Sequence, residues 1–339
     1  MATTTYRPGA ELRPLGLGEL IDRTFTLYRN HFWLFCGVMV VPECFSVLVT
    51  VLWTLSPAAR SFQNMTAKPP ADPITALSAM ASGFSVLFFV YLAHMLIYVV
   101  AIGAVTYVVA DVYLRRPASI QTAYQQALRR AGAVIGLCLL LGAIAFVLYL
   151  AAAIVGALMG AIVAGVGGAV LGGAVGRVIG PIAAVLLFMT ILLGGLALAA
   201  WVLLRFAVSM QILLIEERGV FDSLNRSGQL TSGHRWRIFL GVLITALIAV
   251  ALSAALTMPL IVMTTTHALR SEMIPMWLQL VTAVASGLSG VITGPLLAIT
   301  MALIYFDLRI RKEGFDIEAA MIQTQTAPIV GGEVAPPAL

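Results

Sequence analysis

Charge is what this chain has least of. Asp, Glu, Lys and Arg make up 10% of its 339 residues, against 60% for hydrophobic side chains, too small a polar complement to coat a soluble globule of that size. Cysteine is nearly as scarce. Cys36, Cys44 and Cys138 all stand inside apolar runs, without the spacing of a zinc site or a disulfide framework, so they read as small buried apolar residues. Catalytic signatures are also missing: there is no GxxxxGK[ST] loop, no HExxH, no nucleophile elbow and no carboxylate pair in a water-exposed setting. No enzyme activity, metal or cofactor is therefore expected. The N-terminus, MATTTYRPGAELRPLG, has no apolar core followed by a small-residue cleavage site, which leaves the first apolar run as the targeting signal.

What the chain does have is long apolar runs, without the alternation of barrel strands. They predict an all-α polytopic membrane protein with six transmembrane helices at about 32–55, 82–110, 133–158, 181–210, 236–262 and 276–306. Of the 20 Lys and Arg residues, fifteen lie in the termini and in the 111–132 and 211–237 connections. That excess predicts both termini in the cytoplasm, for a multi-pass protein of the bacterial cytoplasmic (inner) membrane. The net charge of +5 is met by anionic lipid headgroups, at about 1 kcal/mol for each cation. Nucleic acid is not an expected partner, because no stacking or groove-reading module is visible.

The segment at 17–30 separates its side chains as an interfacial helix does. Leu17, Leu20, Ile21, Thr24, Phe25, Leu27 and Tyr28 share one half of the wheel, and Glu19, Asp22, Arg23, Thr26, Arg29 and Asn30 the other. A comparable layout recurs at 119–136 and at 220–241, giving three amphipathic helices, each ahead of an apolar hairpin. Setting Gly37, Gly136 and Gly241 equivalent aligns Leu20 with Leu224, Phe32 with Trp236 and Phe35 with Phe239. Either the membrane domain, 17–318, is a threefold internal repeat with units at about 17–116, 117–218 and 219–318, or basic interfacial segments simply look alike. It is preceded by a cytoplasmic segment, 1–16, and followed by a tail, 319–339, of disordered composition. The Gly-rich stretch 160–180 either prolongs the third and fourth spans into a glycine turn, forms a re-entrant segment, or packs against another backbone.

Three segments, LRPLGLGELIDRTFTLYRNHFWLF, RGVFDSLNRSGQLTSGHRWRIFLGVLI and ALIYFDLRIRKEGFDIE, resemble the glycerophosphoryl diester phosphodiesterase membrane domain family of six-span bacterial membrane proteins. The resemblance covers roughly residues 12–318, and YFDLRIRKEGFD is its most specific piece. It implies the membrane module alone: the soluble phosphodiesterase barrel that supplies the name is not expected, since the 30 or so residues after the last span cannot fold one.

Two ionisable residues fall near mid-membrane, Glu43 beside Pro42 in the first span and His94 in the second. Such groups are costly in lipid and mark candidate sites. As consecutive spans usually pack together, they are expected to meet, either as a relay or ligand site or as a structural interhelix hydrogen bond. Arg23, Arg29, Arg129, Arg130, Arg235, Arg237, Arg309 and Arg311 are the candidate contacts to lipid headgroups or to a protein partner. The leading expectation is a non-catalytic scaffold or regulator that engages anionic lipid or an unidentified protein at the cytoplasmic face. The alternative is a transporter or lipid-translocating protein with a midplane polar site.

Overall fold

The computed structural model describes residues 15–57, 59, 72–270 and 272–314. The expected tail at 319–339, most of the N-terminal segment and most of the polar 56–78 loop lie outside the described residues. Among the described residues the chain is helical, without strands, and six helices are long and apolar enough to cross a membrane: Phe32–Leu55, Phe88–Tyr113, Ala131–Val170, Val175–Ile215, Arg235–Leu269 and Met276–Glu313.

The element order follows the amphipathic pattern. Short helices α1 (Leu17–Asn30), α4 (Ile120–Arg129) and α8 (Val220–Thr231) each stand within a few residues of an apolar hairpin. These hairpins are α2 (Phe32–Leu55) with α3 (Pro73–Tyr113), α5 (Ala131–Leu171) with α6 (Gly173–Leu204), and α9 (Arg235–Leu269) with α10 (Met276–Glu313). A seven-residue helix, α7 (Ser209–Ile215), continues α6 beyond a turn. The short helices gather at one end of the bundle, the basic face. Their apolar stripes are largely protein contacts: Leu20, Thr24 and Tyr28 of α1 are buried, as are Ala123 and Ala127 of α4. α4 packs under α3, α8 under α7, and α1 under α10. Each short helix thus braces an outgoing helix, and the first closes the ring by bracing the last.

The outgoing helices also end alike. α3 is followed by Arg115 at φ 57°, α7 by Glu217 at φ 54° and α10 by Gly314 at φ 63°. This left-handed conformation stops a helix and is strained for the two residues that carry a Cβ. The side chains there have nothing in common, so the recurrence lies in the backbone.

The core sits toward the basic face. Phe35, Val38 and Met39 of α2, Ala101 to Val109 of α3, and Leu296 to Leu303 of α10 form one cluster, and Tyr305, Phe306, Ile212 and Ile238 join another. Tyr113 stacks on Phe306 with centroids 4.5 Å apart. The share of buried residues in the most apolar window is 56% for α10 and 0% for α5, which separates the enclosed helix from one that faces lipid. α5 and α6 pack almost wholly on each other. The Gly-rich stretch is the end of that hairpin: α5 runs to Leu171 and α6 starts at Gly173, with Gly172 and Gly173 both at positive φ. It therefore extends the spans into a tight turn, well past the 158 and 181 boundaries expected.

Candidate functional site

Pro42 cannot donate to the carbonyl four residues back, that of Val38. The Tyr124 hydroxyl, reaching up from α4, donates to it at 2.6 Å. Pro295 likewise frees the Val291 carbonyl of α10, and the Tyr28 hydroxyl of α1 donates to the neighbouring carbonyl, that of Ile292, at 2.7 Å. Burial holds both phenols protonated, raising Tyr28 well above the usual range and Tyr124 to about 12. Two short helices thus satisfy the carbonyls near the two proline irregularities.

Next to Pro42, Glu43 is 9% exposed and turns toward α10. Its carboxyl rests on Gly290, where an added Cβ would collide with the carboxyl carbon. One turn on, the Cβ position of Gly294 is 3.4 Å from the Tyr98 hydroxyl. Among the described residues Glu43 has no hydrogen bond or ion pair to its carboxylate. Away from the basic face it opens into a cavity of about 420 Å³, which Ser46 and Thr50 of α2 and Gln279, Thr282 and Ser286 of α10 help to line. A neighbouring cavity of about 250 Å³ shares Ser46, Thr50, Trp53 and Tyr91 with it and reaches His94. The two are lobes of one recess, whose walls mix hydroxyl and amide groups with apolar and aromatic side chains.

His94 and Glu43 are not hydrogen bonded to each other. His94 lies 5.9 Å from the Tyr98 ring, between centroids, and its Nδ1 is buried without a partner among the described residues. The expected pairing fails because α2 packs more extensively on α10, the last span, than on α3. Missed in the sequence were the wall residues. Glu43, Ser46, Thr50 and Thr54 recur at intervals of three and four, as do Gln279, Thr282 and Ser286, and both series are helical stripes.

The basic arginines divide into two groups. At one corner Asp307, 2% exposed, accepts from the Leu15 N–H at 2.8 Å, from Arg237 Nε at 3.1 Å and from Arg311 Nε at 3.0 Å. Both guanidinium groups also donate to the Leu15 carbonyl. At a second corner Glu216 accepts from Arg218, Arg226 and the Tyr305 hydroxyl, while Arg226 and Arg309 reach Glu313. Arg130 clamps the turn after α7 through the Leu213 and Glu217 carbonyls and the Glu217 carboxylate. Arg130, Arg237, Arg309 and Arg311 therefore tie the fold together. Arg235 lies 5.8 Å from the Trp201 ring centre and Arg23 5.7 Å from that of Tyr113. Arg29 and Arg129 are exposed. At the third corner no comparable acid node forms among the described residues. There Asp111, Arg116, Arg129 and the Arg130–Glu217 ion pair border a cavity of about 510 Å³.

Six apolar helices among the described residues, with a core concentrated toward one end, define a multi-pass, all-α membrane protein. No family model, curated protein or solved structure matches the chain.

Proposed function

We propose that the protein is a non-catalytic transporter that takes a small polar solute into the recess based on Glu43, with its basic face in the cytoplasm of a bacterial inner membrane. One observation carries the reading: Glu43, a residue nine-tenths buried whose carboxylate is unpartnered among the described residues, opens onto a cavity walled in part by Ser, Thr and Gln side chains within the span of the bundle. A lone charge in that position is expensive, and transporters set their sites near the membrane midplane in irregular helices. Pro42, next to Glu43, and Pro295 in α10 supply the irregularity. The test is retention of small molecules by purified protein in nanodiscs, equilibrated with a cellular metabolite extract and read by mass spectrometry, followed by flux of any retained compound into proteoliposomes. Wild type retains and moves a compound that Glu43→Gln does not. Identical sets for the two proteins would sink the reading.

The scaffold reading at the basic face keeps one observation in its favour, the third corner, where the exposed Arg116 and Arg129 border an open cavity. An anionic lipid headgroup suits those guanidinium groups. Lipids carried through purification, compared between wild type and an Arg116→Gln/Arg129→Gln variant, test it: equal anionic-lipid content in both would count against it.

A further inference from the structure

The walls of the recess have a polarity of their own. Thr50 Oγ1 donates to the Ser46 carbonyl at 2.8 Å, Thr54 Oγ1 to the Thr50 carbonyl at 2.8 Å and Thr282 Oγ1 to the Leu278 carbonyl at 2.7 Å. A hydroxyl has one hydrogen and two lone pairs. With each hydrogen spent on its own helix, these side chains offer the recess oxygen acceptors. Glu43 adds a carboxyl group, which when ionised accepts hydrogen bonds and donates none. Trp53 and Tyr91 line both lobes, and aromatic rings can hold a cation against their faces. No Lys or Arg is among the described residues lining either lobe. The three threonine oxygens and the Glu43 carboxylate favour positive charge and donors. The same lining also holds donors in the Trp53 indole N–H, the Gln279 amide, the Tyr91 hydroxyl and His94, so the preference rests on the carboxylate and on the lack of Lys and Arg among the described lining residues.

We infer that the solute is an organic cation, a protonated amine whose N–H groups meet the threonine oxygens while its charge meets Glu43. The inference rests on the reading of the recess as a solute site and adds the sign and hydrogen-bonding character of what enters. An anion would meet the Glu43 carboxylate and the threonine lone pairs with no Lys or Arg in the described lining to compensate. A neutral polyol would find acceptors for its hydroxyl hydrogens but leave the carboxylate uncompensated.

Three radiolabelled probes of similar size separate these outcomes by equilibrium dialysis against protein in nanodiscs: ethanolamine as the cation, ethylene glycol as the neutral diol and glycolate as the anion. Wild type should hold ethanolamine at least tenfold better than either of the others, equivalent to about 1.4 kcal/mol. Glu43→Gln should lose that preference, and Glu43→Asp should keep part of it. Thr50→Val, an isosteric change at an exposed position, removes one acceptor while sparing the fold, and should weaken ethanolamine several-fold. It keeps the test decisive if the Glu43 variants fail to fold. Retention of ethylene glycol or glycolate equal to that of ethanolamine, and lost in Glu43→Gln, overturns the cation inference and leaves the solute site standing. Absence of retention of all three by wild type overturns the inference, and the metabolite-extract experiment then decides the site itself.

Discussion

Asp307→Asn is the substitution whose outcome depends most directly on the geometry. The carboxylate joins three parts of the chain far apart in sequence: Leu15 ahead of α1, Arg237 at the start of α9 and Arg311 one turn further along α10. Asparagine keeps an oxygen for the Leu15 N–H but turns an NH₂ group toward both guanidinium groups and removes the charge that balances them. Breaking one partner of a buried pair costs about 3–5 kcal/mol. The arginine side chains here are 23% and 27% exposed, against 1% for Asp307, so water recovers part of the loss. A cost near the lower limit, about 3 kcal/mol, is expected. Titration with sodium dodecyl sulfate in mixed micelles measures it, with the exposed Asp22→Asn as control. The segment before α1, no longer held at Leu15, should also become the first site of limited proteolysis. If Asp307→Asn unfolds at the same detergent fraction as Asp22→Asn, the node is ornamental and the reasoning fails. Replacing Asp307, Arg237 and Arg311 together by Leu, Met and Met should recover part of the stability, since a buried charge cluster is more damaging half-removed than removed.

Tyr124→Phe should destabilise by about 0.6–2 kcal/mol, the range of hydrogen bonds between membrane helices. In a Pro42→Ala background the same change should cost almost nothing, because the introduced alanine supplies an N–H for the Val38 carbonyl; equal costs in both backgrounds would refute the pairing. Tyr124 also sets a pH limit. Its folded pKa is raised from 10.0 to about 12, so its contribution to stability is intact below pH 10 and is lost between pH 10 and about 12, which phenolate absorbance followed beside unfolding detects. Gly195→Val should loosen the α5–α6 hairpin by about 1–3 kcal/mol, since even a Cβ there would overlap that of Ala152. Probe retention should stay unchanged, because that hairpin does not line the recess; a parallel loss of retention would show that the two are coupled.

The six spans were legible because each apolar run exceeds the length that lipid demands, and no other structure buries it. The amphipathic helices were legible in their periodicity, though not in what covers them. Leu20, Thr24 and Tyr28 make the same stripe whether it meets lipid or α10. The tip of α5–α6 was ambiguous because glycine weakens a helix by about 1 kcal/mol per residue, a local penalty that argues for a loop. The close approach of Gly167 to Gly180 and of Gly176 to the Gly168 carbonyl supplies the packing that offsets it, and only the paired helices reveal that. Glu43 was visible as a charge in the wrong solvent. Its partner helix was not, since adjacency in sequence suggested α3 and the structure sets the carboxyl against Gly290 of α10. The Asp307–Arg237 contact spans 70 residues and has no local signature, whereas Asp307 and Arg311, at i and i+4, could be seen as neighbours.

Three similar element orders have produced unequal surroundings, and side-chain polarity explains how. α2, α3, α9 and α10 carry Glu43, Ser46, Thr50, His94, Ser253, Thr282 and Ser289 in their apolar stretches. Polar groups in lipid need partners or a water-filled cavity, so these helices are better placed against one another, as in the 2.8 Å bond from Ser289 to Ser253. α5 and α6 are built mostly from Gly, Ala, Val, Leu and Ile, for which lipid is as good a neighbour as protein, and they pair almost entirely with each other. Over the 41 residues of α5 the helix is about 60 Å long, roughly twice the hydrocarbon thickness. A straight perpendicular crossing would leave its apolar tip in water, so the hairpin must tilt strongly or meet another apolar surface. The recess sits between the two hairpins whose polar groups draw them together, and the third is left free to answer to the bilayer.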